Sequence, residues 1–294
     1  MPRSFTVQIA AALILICQGV LADPSRAVYL GSFRWHMNAS WFGGFSGIEL
    51  SSNGQTMTVI SDRGKILTAR IERTATQIAA IRPGKPRHLK SSTGARVSGR
   101  IGDVEGLVVA PDGSLYISFE GIARVAHYDT AADAAIPLHR PASFAAMPLN
   151  GSLEALAMDP RGRLYTLPER GADQNGKIPV YRWDGDRWST PFTLPARDGF
   201  LPVGADFGPD GRFYLLERTV SIFGFRSRIR RWDITETRAN NERILLQTSS
   251  GTHDNLEGLS IWRDASGNLR ATMISDDNFI ALQTTEIVEY SLTE

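Results

Sequence analysis

DVEGLVVAPDGSLYISFEG, residues 103–121, reads as a β-hairpin that turns at Asp112-Gly113 and ends on an acid, and four other stretches repeat it. They are GFSGIELSSNGQTMTVISDRG (44–64), SLEALAMDPRGRLYTLPERG (152–171), PVGADFGPDGRFYLLER (202–218) and NLEGLSIWRDASGNLRATMISDDN (255–278). In each copy an alternating apolar run meets a tight-turn pair: Asn53-Gly54, Asp112-Gly113, Arg161-Gly162, Asp210-Gly211 or Ser266-Gly267. Glycine suits the positive φ that such turns require. Aligned on their turns, the copies make Ser46, Glu105, Glu154, Val203 and Glu257 equivalent, at intervals of 59, 49, 49 and 54 residues.

Hairpin units recurring about every 50 residues are the pattern of a β-propeller, one four-stranded blade per unit. Further short strands lie between the copies, for example Val180-Tyr181-Arg182-Trp183 and Ile229-Arg230-Arg231-Trp232. No stretch after residue 22 sustains helical periodicity over three turns. The expectation is an all-β, single-domain propeller of five or six four-stranded blades. Ala27-Val28-Tyr29-Leu30 would close the ring by pairing into the last blade, and the long first interval has room for a degenerate sixth.

Residues 1–22 read as a secretory signal peptide: Arg3, an apolar run from Ile9 to Cys17, and Val20-Leu21-Ala22 before Asp23. That run is shorter than the roughly 18 residues of a membrane span, and no later one reaches that length. The propeller domain is then 23–294, a periplasmic or secreted protein expected to be a monomer. The single Cys, Cys17, lies in the leader, so thiol catalysis and disulfides are excluded from residues 23–294. Lys+Arg 32 against Asp+Glu 31 gives a net charge of +1, which argues against a nucleic-acid partner. Of the 32 bases 28 are Arg, and a guanidinium is the group a phosphate or carboxylate site would use.

The first strand of a propeller blade runs along the central channel, so the starts of the repeats gather at one mouth. Glu105, Glu154 and Glu257 are expected to converge there. The end of the second strand carries another acid (Asp62, Glu120, Glu169, Glu217 and Asp276, with Asp277 beside it), and Arg63, Arg170 and Arg218 follow three of these. Converging carboxylates repel unless a cation, a proton or an Arg lies between them. A hard cation such as Ca²⁺ would use them well. Glu105, Glu154, Glu257, Asp62 and Asp276 are therefore candidate metal ligands. Glu105, Glu154, Glu257, Arg63, Arg170 and Arg218 are candidate catalytic residues acting on a small anionic or ester ligand. The same acids would also serve a purely architectural role, capping backbone N–H groups of the next strand or pairing with the adjacent Arg. Asp206 is offset by three residues from the glutamates and is expected to face away. His253 is close enough in sequence to Glu257 to line the same mouth, and Ser46 lacks the context of a nucleophile elbow.

The ordered set Glu-Gly-Leu…Pro-Asp-Gly…Glu (105–120), Pro-Val-Gly-Ala-Asp-Phe-Gly-Pro-Asp-Gly-Arg-Phe-Tyr-Leu-Leu-Glu-Arg (202–218) and Asp-Asn-Leu-Glu-Gly-Leu…Ser-Asp-Asp-Asn (254–278) resembles the phytase-like family. Its domain is described as having the esterase-like activity of phytase. The resemblance spans roughly residues 40–290 and implies a propeller, export, and a hydrolase acting on phosphate or other esters. Three readings stay open: a metal-assisted ester hydrolase, a non-catalytic periplasmic binding or scaffold propeller, and a Ca²⁺-dependent lactonase-like hydrolase.

Overall fold

Five four-stranded antiparallel sheets surround a common axis in the computed structural model, which describes residues 27–293. The expected signal peptide, residues 1–22, lies outside the described residues. From the axis outward, blade I is Phe45–Leu50, Thr56–Ser61, Lys65–Thr74 and Gln77–Pro83. Blade II is Val104–Val109, Leu115–Phe119, Arg124–Tyr128 and Ile136–Pro137. Blade III is Leu153–Met158, Leu164–Pro168, Lys177–Trp183 and Trp188–Pro195. Blade IV is Leu201–Phe207, Phe213–Ser221, Gly224–Ile234 and Ala239–Gln247. Blade V takes Asn255–Arg263, Leu269–Asp276 and Glu286–Leu292, and its outermost strand is Ala27–Arg34 from the start of the domain. Ring closure through Ala27 onward is therefore as expected from the sequence.

Among the described residues there are five blades and no sixth. The long first interval is spent on blade I itself: its third strand runs ten residues, and Arg87–His88 pairs back onto it. The turn glycines behave as the pattern demands, with Gly113 and Gly211 at φ of 86° and 76°. Alternating runs bury one face of each sheet against the next blade, so the core falls into five clusters, one per blade interface. Bidentate pairing of Arg73 with Glu289, at 2.5 and 2.7 Å, also ties blade I to blade V.

Each of the five inner strands carries a register break at the same place. Pairing skips Ser46, the two residues Glu105-Gly106, Glu154, Val203 and Glu257 in blades I to V. A bulge leaves the extra residue unpaired and re-aims its side chain. It is followed by Gly47, Gly106, Ala155, Gly204 and Gly258, where the inner strands approach closest. A Cβ on Gly106 would sit 2.7 Å from the Glu154 carbonyl, and one on Gly204 would sit 2.4 Å from that of Glu257. Below the bulges the channel narrows to a void of about 10 Å³, and the mouth above it widens into a cup.

Candidate functional site

The cup holds about 240 Å³ and is lined by Asp62, Asp103, Glu105, Glu120, Asn150, Glu154, Glu169, Arg170, Arg218, Glu257, Asp276 and Asn278. Two rings of residues build it. The bulge residues form the inner ring: Ser46, Glu105, Glu154, Val203 and Glu257. The outer ring is the residue that follows, on each second strand, the partner of the position just before the bulge. The partners Phe45–Ser61, Val104–Phe119, Leu153–Pro168, Pro202–Glu217 and Leu256–Ser275 put Asp62, Glu120, Glu169, Arg218 and Asp276 in that ring.

Blade IV thus contributes a cation where the other four contribute acids. Arg218 stands beside the short, apolar Val203 and reaches both neighbouring blades, 3.1 Å to Glu257 and 3.4 Å to Glu169. Glu217, equated with the mouth acids in the sequence, is one residue out of register and faces the opposite way. It is fully buried with Arg228 and Arg230, accepting from Arg228 Nε at 2.8 Å and from Arg230 Nε at 2.7 Å. Counting four residues on from Tyr116, Tyr165 and Tyr214 reaches Glu120, Glu169 and Arg218. That spacing was the available signal.

Several mouth acids have architectural duties. Glu120 accepts from the backbone N–H of Gly151 and, at 3.3 Å, of Ser152, capping the start of blade III. Glu169 is held by Arg170 at 3.2 Å as well as by Arg218. Glu257 accepts from Asn255 Nδ2 at 2.8 Å, and Asp276 from the Asn278 N–H at 2.7 Å. Asp277 is spent on the backbone of Gly44 and Phe279 and on Thr285, each at 3.0 Å.

Glu105 and Glu154 are different. Both are buried, at 8% and 7% exposure, yet among the described residues neither carboxylate receives a hydrogen bond or lies within salt-bridge distance of a cation. One Asp62 oxygen is fully buried without a partner, whereas the unpartnered oxygens of Glu105 and Glu154 open onto the cup. Carboxylate oxygens of Asp103, Glu105 and Glu120 lie within 4.8 Å of one another, as do those of Glu120, Glu154 and Glu169. Eight carboxylates and two guanidiniums line the cup. Burial, then repulsion from Glu154, Glu257 and other neighbours, holds the Glu105 carboxyl well above its usual range. Glu154 is raised by burial, Glu120 and Glu257. Burial pushes Glu257 up to about 8 against the pull of Arg218. Asp62 rises to about 7, through burial and then Asp276. Burial lifts Asp276 to about 6.

Among the residues expected from the sequence, Glu105, Glu154, Glu257, Asp62, Asp276, Arg170 and Arg218 come together in the cup. Arg63 does not line it and instead stacks on the Phe279 ring, 3.2 Å from the centroid. The two carboxylate triads group Glu105 and Glu154 with Asp103, Glu120 and Glu169 rather than with Glu257. Asp103 was missed, although its i, i+2 spacing to Glu105 signals a shared face. His253 is turned away, 2.7 Å from the Tyr290 hydroxyl, and the Ser46 hydroxyl donates to the Val104 carbonyl at 2.7 Å. Asp206 faces away, as expected: it accepts from the Ile261 N–H at 2.6 Å, on the far side of the constriction.

The family model described as phytase-like, "esterase-like activity of phytase", matches residues 40–279. No curated protein matches the chain. Among solved structures, the catalytic domain of an α-L-arabinofuranosidase from Coprinopsis cinerea is similar at 12% identity, over 91% of this chain and 97% of that one, with a TM-score of 0.51. An aldose sugar dehydrogenase from Streptomyces coelicolor is 12% identical over 92% and 99% of the two chains, with a TM-score of 0.48. A regucalcin from Agrobacterium tumefaciens is 10% identical over 85% and 91%, at 0.46. At such identities the first of these shows the fold alone, and the other two add nothing to it.

Proposed function

The chain belongs to the phytase-like family, and on that premise we propose that the cup is a cation-assisted hydrolytic site for phosphate or other esters, in a protein exported by residues 1–22. The observation that carries this reading is the pair of carboxylates of Glu105 and Glu154, which face the cup with no hydrogen-bond or salt-bridge partner among the described residues.

The donor set fits a hard divalent ion. The lining side chains offer carboxylate and amide oxygens, with no His or Cys among them, and Ca²⁺ is bound by six to eight such oxygens. Asp103, Glu105, Glu120, Glu154 and Glu169 would hold it. When bound, such an ion polarises an ester oxygen and acidifies water. Arg170, 63% exposed at the rim, is placed to receive the anionic end of an ester. Arg218, fixed between Glu169 and Glu257, presents a positive charge where negative charge develops. Among the described residues no Ser, Thr, Cys, Lys, Tyr or His lines the cup, and in this reading water activated by the cation is the nucleophile.

The test is thermal unfolding of residues 23–294 in EDTA and in Ca²⁺, followed by turnover of p-nitrophenyl phosphate and carboxylic esters, lactones included. Ca²⁺ at a hundred times its Kd adds about 2.7 kcal/mol of stability. Glu105→Gln with Glu154→Gln abolishes both that shift and Ca²⁺-dependent turnover. Intact turnover in the double variant refutes the reading. A second reading, a binding propeller without chemistry, is favoured by the commitment of Glu120 to backbone N–H groups and of Glu169 and Glu257 to Arg218. It predicts saturable shifts with phosphate or phytate and no turnover of any ester.

A further inference from the structure

A second concavity opens at the end of the ring opposite the cup, in the groove between blades V and I. It holds about 650 Å³, against 240 Å³ for the cup, within the range of roughly 300–1,000 Å³ that small-ligand sites occupy. The charges on its floor are spent within the protein. Trp262 is met by two guanidiniums, Arg73 at 4.9 Å and Arg270 at 5.4 Å from its ring centroid. Arg73 is held by Glu289 at 2.7 Å and by the Gly54 carbonyl at 3.2 Å. Arg270 is held by Asp264 at 2.8 Å and by the Thr76 carbonyl at 3.0 Å. Ala75 sets that carbonyl from a φ of 51°, a left-handed conformation that costs a non-glycine residue energy. The rim is different. Arg70 is exposed, and among the described residues its guanidinium makes no hydrogen bond and no salt bridge. Glu72, two residues along, is held below its usual range by Arg82, at 3.1 and 3.3 Å, and then by the charge of Arg70. The Gln55 amide and the hydroxyls of Thr76 and Ser266 also line the groove without a partner among the described residues.

The groove between blades III and IV, at the same end of the ring, is the internal comparison. There Arg161, Arg163 and Arg182 converge on the carboxylate of Glu236 from the neighbouring blade, at 2.6, 2.8 and 3.1 Å. The chain supplies its own anion to that groove and supplies none to Arg70. We propose that the groove between blades V and I binds a sugar acid, a hydroxyl-rich ligand with one carboxylate, either free or at the end of a glycan chain. One available guanidinium matches one carboxylate, which it grips through two parallel N–H donors. The amide and hydroxyl groups are donors and acceptors at once and match sugar hydroxyls. Glu72, Asp264 and Glu289 each have an arginine partner, so the groove offers a single unspent positive charge, which suits a carboxylate better than a phosphate dianion.

This site is independent of the cup, and titration calorimetry of residues 23–294 in EDTA tests it without reference to turnover. The probes are glucuronate, glucose and a neutral oligosaccharide ending in one glucuronosyl residue. Glucuronate is expected to bind, and glucose at least about tenfold more weakly, because it lacks the charge-assisted hydrogen bonds to Arg70. Arg70→Gln is expected to bring glucuronate down to the level of glucose. Ala265→Trp, which places an indole in the groove, is expected to abolish binding of both. Both positions are exposed, and matching melting temperatures establish that the variants are folded. Glu105→Gln with Glu154→Gln is expected to leave glucuronate binding unchanged. Tighter binding of the oligosaccharide supports a glycan end as the source of the ligand, and equal binding supports the free sugar acid. Absence of glucuronate binding overturns the proposal, as does glucose binding equally well. Binding indifferent to Arg70→Gln and Ala265→Trp, or lost in the cup variant, also overturns it, because the ligand then sits elsewhere.

Discussion

Raising the pH of the cation-free protein from 5 to 8 should lower its melting temperature, and Asp62→Asn should recover part of the loss. Asp62 lies at the edge of the cup with its pKa lifted from 3.8 to about 7, by burial first and by Asp276 second, against the pull of Arg63. A carboxyl whose folded pKa is raised binds its proton longer in the native state than in the unfolded chain. Stability therefore falls as pH climbs from the unfolded value towards the folded one, and the penalty is complete above about 7. Between pH 5 and the folded value of about 7 lie two units, at most about 2.7 kcal/mol. Solvent still reaches Asp62, and the discount for screening leaves ~1 kcal/mol. For a domain of this size that is a fall of roughly 2–4 °C. The contribution of Asp276 is not added, because Asp276 is already among the causes of the Asp62 shift.

Scanning calorimetry in EDTA at pH 5, 6, 7 and 8, on the wild type and Asp62→Asn, measures this directly. The gap between the two proteins should widen from pH 5 to pH 8, with the variant the more stable at pH 8. Adding Ca²⁺ should flatten the wild-type slope and reverse the order, since the ion exploits the charge that the variant lacks. A cation-free melting temperature that stays level or rises between pH 5 and 8 would show that these carboxylates are not crowded, and the reasoning from buried repulsion would fall with it.

Two further outcomes follow from the ring itself. Glu217→Gln leaves Arg228 and Arg230, both fully buried, without their shared carboxylate, and should cost about 3–5 kcal/mol in chemical denaturation, with no change in Ca²⁺ response. Gly204→Ala drives a Cβ to within 2.4 Å of the Glu257 carbonyl. It should cost at least about 1–3 kcal/mol by overpacking and weaken the cation response of the cup, whereas Gly176→Ala, with nothing within 4 Å, should leave that response intact.

The hairpins were legible because their signals are local: alternation of period two, a turn glycine, and a recurrence near fifty residues. The inward glutamates followed from the same alignment. Glu105, Glu154 and Glu257 do sit on one ring, and Asp206 does face away. Blade number was less legible, since an interval of 59 residues holds either an extra blade or longer strands, and blade I takes the latter. Arg63 follows Asp62 in sequence but is drawn off by the Phe279 ring, a contact made across the ring closure between blades I and V.

By itself, then, the sequence determined that this chain closes hairpins into a propeller and gathers acids at one mouth. The tertiary structure decided which acids are charged neighbours and which are structural. A strand shows a side chain's face only once its register is known, and a slip of one residue reverses every face. That slip sends Glu217 into the core and puts Arg218 in the ring. The bulges, invisible to a pattern of period two, aim Glu105 and Glu154 into the cup, where no other group of the described chain satisfies them.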